Sequence, residues 1–279
     1  MEAAFFDLDK TVIDRASIMA FAPRFRREGL LNRRTIAKGA CTQLIYKHRG
    51  ASERRLDKVR GSVLSITKGW DRDQVRRIVV EALADAVDPI TYVDARELIQ
   101  HHIRRGRRVY LVSAAPAEIV EPIAERLGVH QAVASVARVD DDGRYTGELE
   151  RYAYGPAKAD AVKEIAERDG IDLERSFAYS DSATDVPMLE AVGHAVAVNP
   201  DRRLREVAAE RGWEVACFSR LLGTTVPDTT SEVAVEQPAR RHSRKAVWAW
   251  GSAAAAVAAA GGGATAIAWR SYRSQLGQA

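Results

Sequence analysis

Ala3-Ala4-Phe5-Phe6-Asp7-Leu8-Asp9-Lys10-Thr11 decides the fold of this chain. Four apolar residues in a row read as a short buried strand of the kind found in the middle of a parallel sheet. The strand ends in two carboxylates one residue apart, with a hydroxyl two positions further on. Open α/β sheets bind ligands outside the carboxyl ends of their strands, so Asp7 and Asp9 fall where chemistry is expected.

Two further stretches repeat the pattern. Val109-Tyr110-Leu111-Val112-Ser113 reads as a second buried strand, ending in a hydroxyl. Phe177-Ala178-Tyr179-Ser180-Asp181-Ser182-Ala183-Thr184-Asp185 reads as a third, ending in a carboxylate pair. Between them Lys158 opens the helical pattern Lys158-Ala159-Asp160-Ala161-Val162-Lys163. Singly these pieces are commonplace: an Asp-x-Asp or a Ser at a strand end serves as a turn or helix cap, and a Lys near a helix start lies on a solvated face. Their order and shared position at strand ends set them apart. Of two neighbouring carboxylates, one can attack phosphorus while the other protonates the leaving oxygen and later deprotonates a water. Two anions beside a phosphate repel it and each other, so the site requires a divalent cation and other positive groups.

That arrangement resembles the haloacid dehalogenase-like phosphohydrolase superfamily over about residues 2 to 220, with all of the superfamily's motifs represented. The resemblance implies a doubly wound, mostly parallel α/β sheet (a Rossmann-like core) with an inserted helical cap. It implies Asp7 as nucleophile and Asp9 as general acid/base, with Thr11, Ser113 and Lys158 orienting the phosphoryl group and offsetting its charge. Mg2+ would be held by Asp7, the Asp9 carbonyl and Asp181, with Asp185 as a further acidic group at or just behind the metal. Asp9 favours phosphate chemistry, because the dehalogenase branch needs no acid at that position.

Within the superfamily the chain looks most like the phosphoserine-phosphatase-like branch, subfamily IB. The stretches that carry this are Asp9-Lys10-Thr11-Val12-Ile13, Val112-Ser113-Ala114-Ala115-Pro116, Asp142-Gly143-Arg144-Tyr145-Thr146-Gly147 and Tyr179-Ser180-Asp181-Ser182. Arg60, in Val59-Arg60-Gly61-Ser62-Val63-Leu64, resembles the cap arginine that binds substrate in phosphoserine phosphatases. Ser180 and Thr184 stand where those enzymes commonly carry Gly and Asn, and Ala114-Ala115 replaces a glycine pair. Those enzymes also pair the substrate ammonium with a glutamate about nine residues after the nucleophile. Here that neighbourhood reads Asp14-Arg15-Ala16-Ser17, so phosphoserine is not the expected substrate. A lipid-derived or glycerol-type phosphomonoester is expected instead.

Around the motifs, residues 1–14 and 88–222 are assigned to the catalytic core and 15–87 to the cap. In the cap Val75, Ile78, Val79, Ala82 and Leu83 share one helical face, behind an Asp71 N-cap with Gln74 at capping-box spacing. Asp94–Arg105 and Ala117–Leu127 are expected helices. Val133–Val139 and Tyr145–Leu149 flank Asp140-Asp141-Asp142-Gly143 as a hairpin, and His194–Val198 and Glu214–Phe218 complete the sheet. The three turn aspartates lack the spacing and terminal Glu of a Ca2+ loop.

Residues 223–245 read as a linker ending in the basic cluster Arg240-Arg241-His242-Ser243-Arg244-Lys245. Residues 246–269 carry no charge, enough for roughly 36 Å of helix. Trp248, Trp250 and Trp269 near its ends suit interfacial anchoring and favour a membrane span over the flexible tail that the Ala-rich composition and Gly261-Gly262-Gly263 would also allow. The span reading gives a single-pass membrane enzyme with a cytoplasmic catalytic domain and a short tail, 270–279. The net charge of +4 comes from scattered basic residues with no nucleic-acid motif, so no nucleic-acid partner is expected. Cys41 and Cys217 form no metal or redox spacing, and with the catalytic strand at the start of the sequence no signal peptide is expected. A phosphomutase using the same phosphoenzyme, or a membrane-tethered regulatory protein with a vestigial site, are the competing readings.

Overall fold

A computed structural model describes residues 1–31 and 61–222; Arg60, the linker 223–245 and the stretch 246–269 lie outside the described residues. Among the described residues no helix is long and apolar enough to cross a membrane. The strands are β1 (Ala3–Phe6), β2 (Arg108–Pro116), β3 (Gln131–Val139), β4 (Tyr145–Arg151), β5 (Phe177–Ser180), β6 (His194–Val198) and β7 (Glu214–Ala216). They form one sheet in the order β4-β3-β2-β1-β5-β6-β7, parallel throughout except for the β3/β4 hairpin. The helices are α1 (Ser17–Arg27), α2 (Arg72–Val87), α3 (Val93–Arg104), α4 (Ala117–Leu127), α5 (Pro156–Asp169), α6 (Val186–Glu190) and α7 (Arg202–Arg211), and residues 61–67 are also helical.

β1 lies between β2 and β5, the point where the strand order reverses direction. It is buried on both faces, which its uninterrupted apolar sequence allows. Phe5 stacks on Tyr110 at 5.1 Å on one face, and Phe6 stacks on Tyr179 at 4.3 Å on the other. Fully burying such a ring contributes about 1.5–3 kcal/mol, so β1 is pinned at the centre before any polar contact is counted. Phe6 pairs with both Leu111 and Tyr179, a register that brings Asp7, Ser113 and Asp181 to the same edge of the sheet.

The cap assigned to residues 15–87 is helical where described, with one addition that periodicity could not show. Trp70 and Tyr145 exchange backbone bonds through neighbouring groups: the Tyr145 N–H donates to the Trp70 carbonyl at 3.0 Å, and the Gly69 N–H donates to the Tyr145 carbonyl at 2.8 Å. The insertion is thereby stitched to the β3/β4 hairpin. Asp71 caps α2 by accepting from the Gln74 N–H at 2.7 Å, as its sequence position predicts. α2 then packs on α1, with Arg24 paired to Asp85 at 2.7 Å, and on α4, with Arg76 paired to Glu121 at 2.8 Å. α2 therefore contacts both α1 and α4.

On α3, packed against Phe6, Phe177 and Tyr179 of the sheet, His102 is fully buried, its Nε2 2.9 Å from the Tyr179 hydroxyl. Burial, reinforced by Arg107 and His101, pushes its pKa from 6.5 down to about 3. The unfolded chain therefore takes up a proton that the folded chain refuses between these values. The His102 contribution to stability is full above about pH 6.5 and falls by about 1.4 kcal/mol per unit as the pH drops toward the folded value. Urea denaturation at pH 5 and pH 7 should show this difference in wild type and a smaller one in His102→Leu. An equal difference in both would remove His102 as its source.

Candidate active site

The site is built on the turn that follows β1. The Asp7 N–H still donates to the Tyr179 carbonyl at 2.9 Å, so Asp7 is held in the sheet. The Leu8 carbonyl then accepts from the N–H groups of Thr11, Val12 and Ile13 at 3.3, 2.9 and 3.1 Å. This tight turn forces Lys10 to a φ of 66°, a left-handed conformation that costs a non-glycine residue about 1–2 kcal/mol. The turn points Thr11 back at Asp7, and its hydroxyl donates to Asp7 Oδ2 at 3.1 Å. Asp9, partly exposed, accepts from the Ser17 N–H at 2.8 Å, which ties the acid to the first turn of α1.

Lys158 enters from the first turn of α5. Its ammonium lies 2.6 Å from Asp7 Oδ1 and 2.7 Å from Asp185 Oδ2, and all three groups are buried. The Ser180 hydroxyl donates to the same Asp185 oxygen at 2.7 Å. Ser180 thus uses its side chain to hold Asp185, a role that its place in the sequence did not reveal. The Asp181 carbonyl accepts from the Asp201 N–H at 2.8 Å, which fixes the loop that carries Asp181. Ser113 is buried at the same sheet edge, its Oγ accepting from the Ala115 N–H at 3.1 Å; no hydrogen bond joins it to Asp7 among the described residues.

Burial dominates the electrostatics. It pushes the Asp7 carboxyl up to about 7, against the pull of Lys158 and with the push of Asp185. Burial and the nearby Asp7 charge push Asp181 up to about 8. Asp9 is also raised by burial, opposed by its bonds to Ser17, although part of its surface reaches solvent. Lys158 is driven the other way: burial works against its charge, but Asp185 and Asp7 outweigh it, and its pKa rises. The ammonium and its two carboxylates thus stay associated, and the upward direction for Asp7 comes first from its burial.

The donor chemistry fits Mg2+. Asp7 and Asp185 share one buried ammonium and Asp181 is buried close enough to feel the Asp7 charge, which leaves negative charge for a divalent cation to offset. All the donors are hard oxygens. Among the described residues no three acidic, His or Cys side chains form a closed metal cluster. Mg2+ does not require one, since it binds through one or two carboxylates and completes its shell with water and phosphate oxygens. Asp7, Asp181 and the Asp9 carbonyl can supply that partial set, whereas Asp185 is engaged by Lys158 and Ser180. A separate cavity of about 200 Å3 lined by Val87, Thr91, Ile123 and Leu222 touches none of these residues.

The sequence matches the haloacid dehalogenase-like hydrolase family over residues 4–190. It is 50% identical over 218 residues to a probable phosphatase of Mycobacterium tuberculosis, covering 78% of this chain and 76% of the relative. It is 36% identical over 219 residues to a phosphoserine phosphatase of the same organism, covering 77% of this chain and 70% of the relative. Among solved structures, a protein of unknown function from Bordetella pertussis superposes with a TM-score of 0.65 at 29% identity, covering 77% of this chain and 97% of that one.

Proposed function

The chain belongs to the haloacid dehalogenase-like hydrolase family, and from that premise we propose that it hydrolyses a phosphomonoester through an aspartyl-phosphate on Asp7. The observation that carries this reading is the Asp7 carboxylate held between Lys158 at 2.6 Å and Thr11 at 3.1 Å, with Asp9 on the same turn. Lys158, Thr11 and Ser113 bind and orient the phosphoryl oxygens, and Lys158 offsets the charge that develops on them. An Asp7 oxygen attacks phosphorus, the ester P–O bond breaks, and the departing oxygen takes the proton of Asp9, whose raised pKa suits a donor. Asp9 then accepts a proton from water, whose oxygen displaces Asp7 and releases inorganic phosphate. Enzymes of this family generally use Mg2+; here Asp7, Asp181 and the Asp9 carbonyl would hold it, and when bound it supplies positive charge against the phosphoryl group. Phosphate release, rather than transfer to a sugar, separates this activity from a phosphomutase.

The substrate we assign is a monoester without a free amine, lipid-derived or glycerol-type. Asp14, the one acid near the position where phosphoserine phosphatases place their ammonium-binding glutamate, is clasped by Arg15 through two bonds of 2.5 and 2.8 Å. That pairing competes with any ammonium for its two oxygens. Phosphoserine should therefore be turned over about 10²-fold less efficiently than glycerol phosphate by kcat/KM. The relative named as a phosphoserine phosphatase makes this comparison the decisive one, and phosphoserine as the best substrate of a side-by-side panel would defeat the assignment.

We also infer a membrane tether through residues 246–269, supported by their lack of charge, the flanking tryptophans and the basic cluster before them, with the catalytic unit on the cytoplasmic side. All catalytic residues precede the linker, so truncation near Pro227 should yield a soluble enzyme of unchanged kcat. Full-length protein released by carbonate washing of cell membranes would refute the tether.

A further inference from the structure

β2 and β3 run in parallel register from Tyr110 opposite Gln131 to Val112 opposite Val133, and the register resumes only at Pro116 opposite Ser135. Between these points β2 carries Ser113, Ala114 and Ala115, while β3 carries Ala134 alone. The surplus makes β2 bulge at Ser113, and bulges re-aim side chains at the cost of local ladder bonds. Backbone groups freed in this way inside a core need other partners.

Ser135 supplies one of them. Its side chain is buried, its hydroxyl donates to the Ala114 carbonyl at 2.8 Å, and the same oxygen accepts from the Ala153 N–H at 3.2 Å. Ala153 is itself buried and lies between β4 and α5, on the segment that leads into Lys158. One hydroxyl therefore ties the bulge that presents Ser113 to the segment that presents Lys158. Ser113 depends on that bulge for its own orientation, because its Oγ accepts from the Ala115 N–H inside it.

We propose that Ser135 is a positioning residue for phosphate binding: it fixes the bulge of β2, and so the direction of the Ser113 hydroxyl, relative to Lys158. The inference rests on the reading of Ser113 as a phosphate-binding group. It extends that reading to a residue two strands from the nucleophile, whose hydroxyl bonds the Ala114 carbonyl and the Ala153 N–H.

The test is a double-mutant cycle in the full-length protein, with inorganic phosphate and orthovanadate as competitive inhibitors of p-nitrophenyl phosphate hydrolysis. Ser113→Ala should raise both inhibition constants about tenfold or more, the scale of a hydrogen bond to a charged group. Ser135→Ala should raise them about three- to tenfold, with a smaller change in kcat. Ser135→Thr, which keeps donor and acceptor, should restore wild-type values. If Ser135 acts through Ser113, adding Ser135→Ala to Ser113→Ala should change little more. Should Ser135→Ala fail to fold, the same cycle is run with Ser135→Cys, a near-isosteric weak donor. Full additivity, or a Ser135 variant with wild-type inhibition constants, overturns the proposal. Ser113→Ala without effect removes the phosphate-binding reading of Ser113 and this inference with it, whereas an effect of Ser113→Ala alone removes only this inference.

Discussion

Asp7→Asn should abolish phosphate release and leave no trappable phosphoenzyme, while Asp9→Asn should still form a phosphoenzyme and turn over about 10²–10⁴-fold more slowly. The difference follows from where each group sits. Asp7 is buried between Lys158 and Thr11, and its amide replacement is a poor nucleophile that offers a dipole where Lys158 requires a charge. Asp9 stands two residues on, past the start of the turn, partly exposed and bonded to the Ser17 N–H through one oxygen. Asn at position 9 can keep that bond with its carbonyl and preserve the turn, so the loss is confined to proton transfer. The slow variant should therefore accumulate more phosphoenzyme from a good leaving group, such as p-nitrophenol, than from an alkyl alcohol, because the good leaving group departs without a proton. Acid-quench trapping with 32P-labelled substrate reads this directly. Wild-type turnover in Asp7→Asn would end the aspartyl-phosphate mechanism, and equal, complete inactivity of both variants would deny Asp9 a separate role.

The residues joined around Asp7 were legible in the sequence because each closes a strand or opens a helix. Ala3–Phe6, Val109–Val112 and Phe177–Tyr179 are uninterrupted apolar runs, and a parallel sheet places the residues that follow such runs along one edge. The limits of α4 and β6 were legible for similar local reasons, among them Gly128 in the left-handed conformation that ends α4. What periodicity could not reveal are bonds between distant residues. Nothing near Ser17 shows that its amide will meet Asp9, and nothing near Ser135 shows that it will mend a bulge in another strand. Lys10 is a further case, because its positive φ is imposed by three amides converging on one carbonyl and not by a glycine that would announce the turn. The pairing of Asp14 with Arg15 was hidden differently: adjacent opposite charges are common, and only the fold shows that Arg15 turns onto its neighbour with both oxygens engaged. β7 closes at Ala216 instead of Phe218 because Asn199 takes over the backbone of Phe218, with its side-chain amide donating at 2.9 Å and accepting at 3.0 Å.

Lys158→Ala should damage stability and catalysis together, and the link between the two losses identifies what this lysine does. Its ammonium is buried and lies within 2.7 Å of both Asp7 and Asp185, so its removal strands two carboxylates in a region where burial already raises the pKa of Asp7. Removing one partner from a buried ion pair typically costs about 3–5 kcal/mol, because the remaining charge loses its compensation. The same change takes away the cation facing the phosphoryl oxygens, and losses of that kind lower kcat by about 10²–10³-fold. If the stability loss comes from the stranded charges, deleting one of them should recover part of it. Lys158→Ala combined with Asp185→Asn should then be more stable than Lys158→Ala alone, although Asp185→Asn in the wild-type background is destabilising. That reversal of sign is a coupling that packing loss at Lys158 does not produce, since a cavity is not filled by changing Asp185. Catalysis should not recover in the double variant, because its positive charge is still missing. Urea denaturation and phosphate release measured on the same four proteins, each with and without Mg2+, separate the effects. Additive stability changes would assign Lys158 to packing, and wild-type kcat/KM in Lys158→Ala would remove it from the phosphate site.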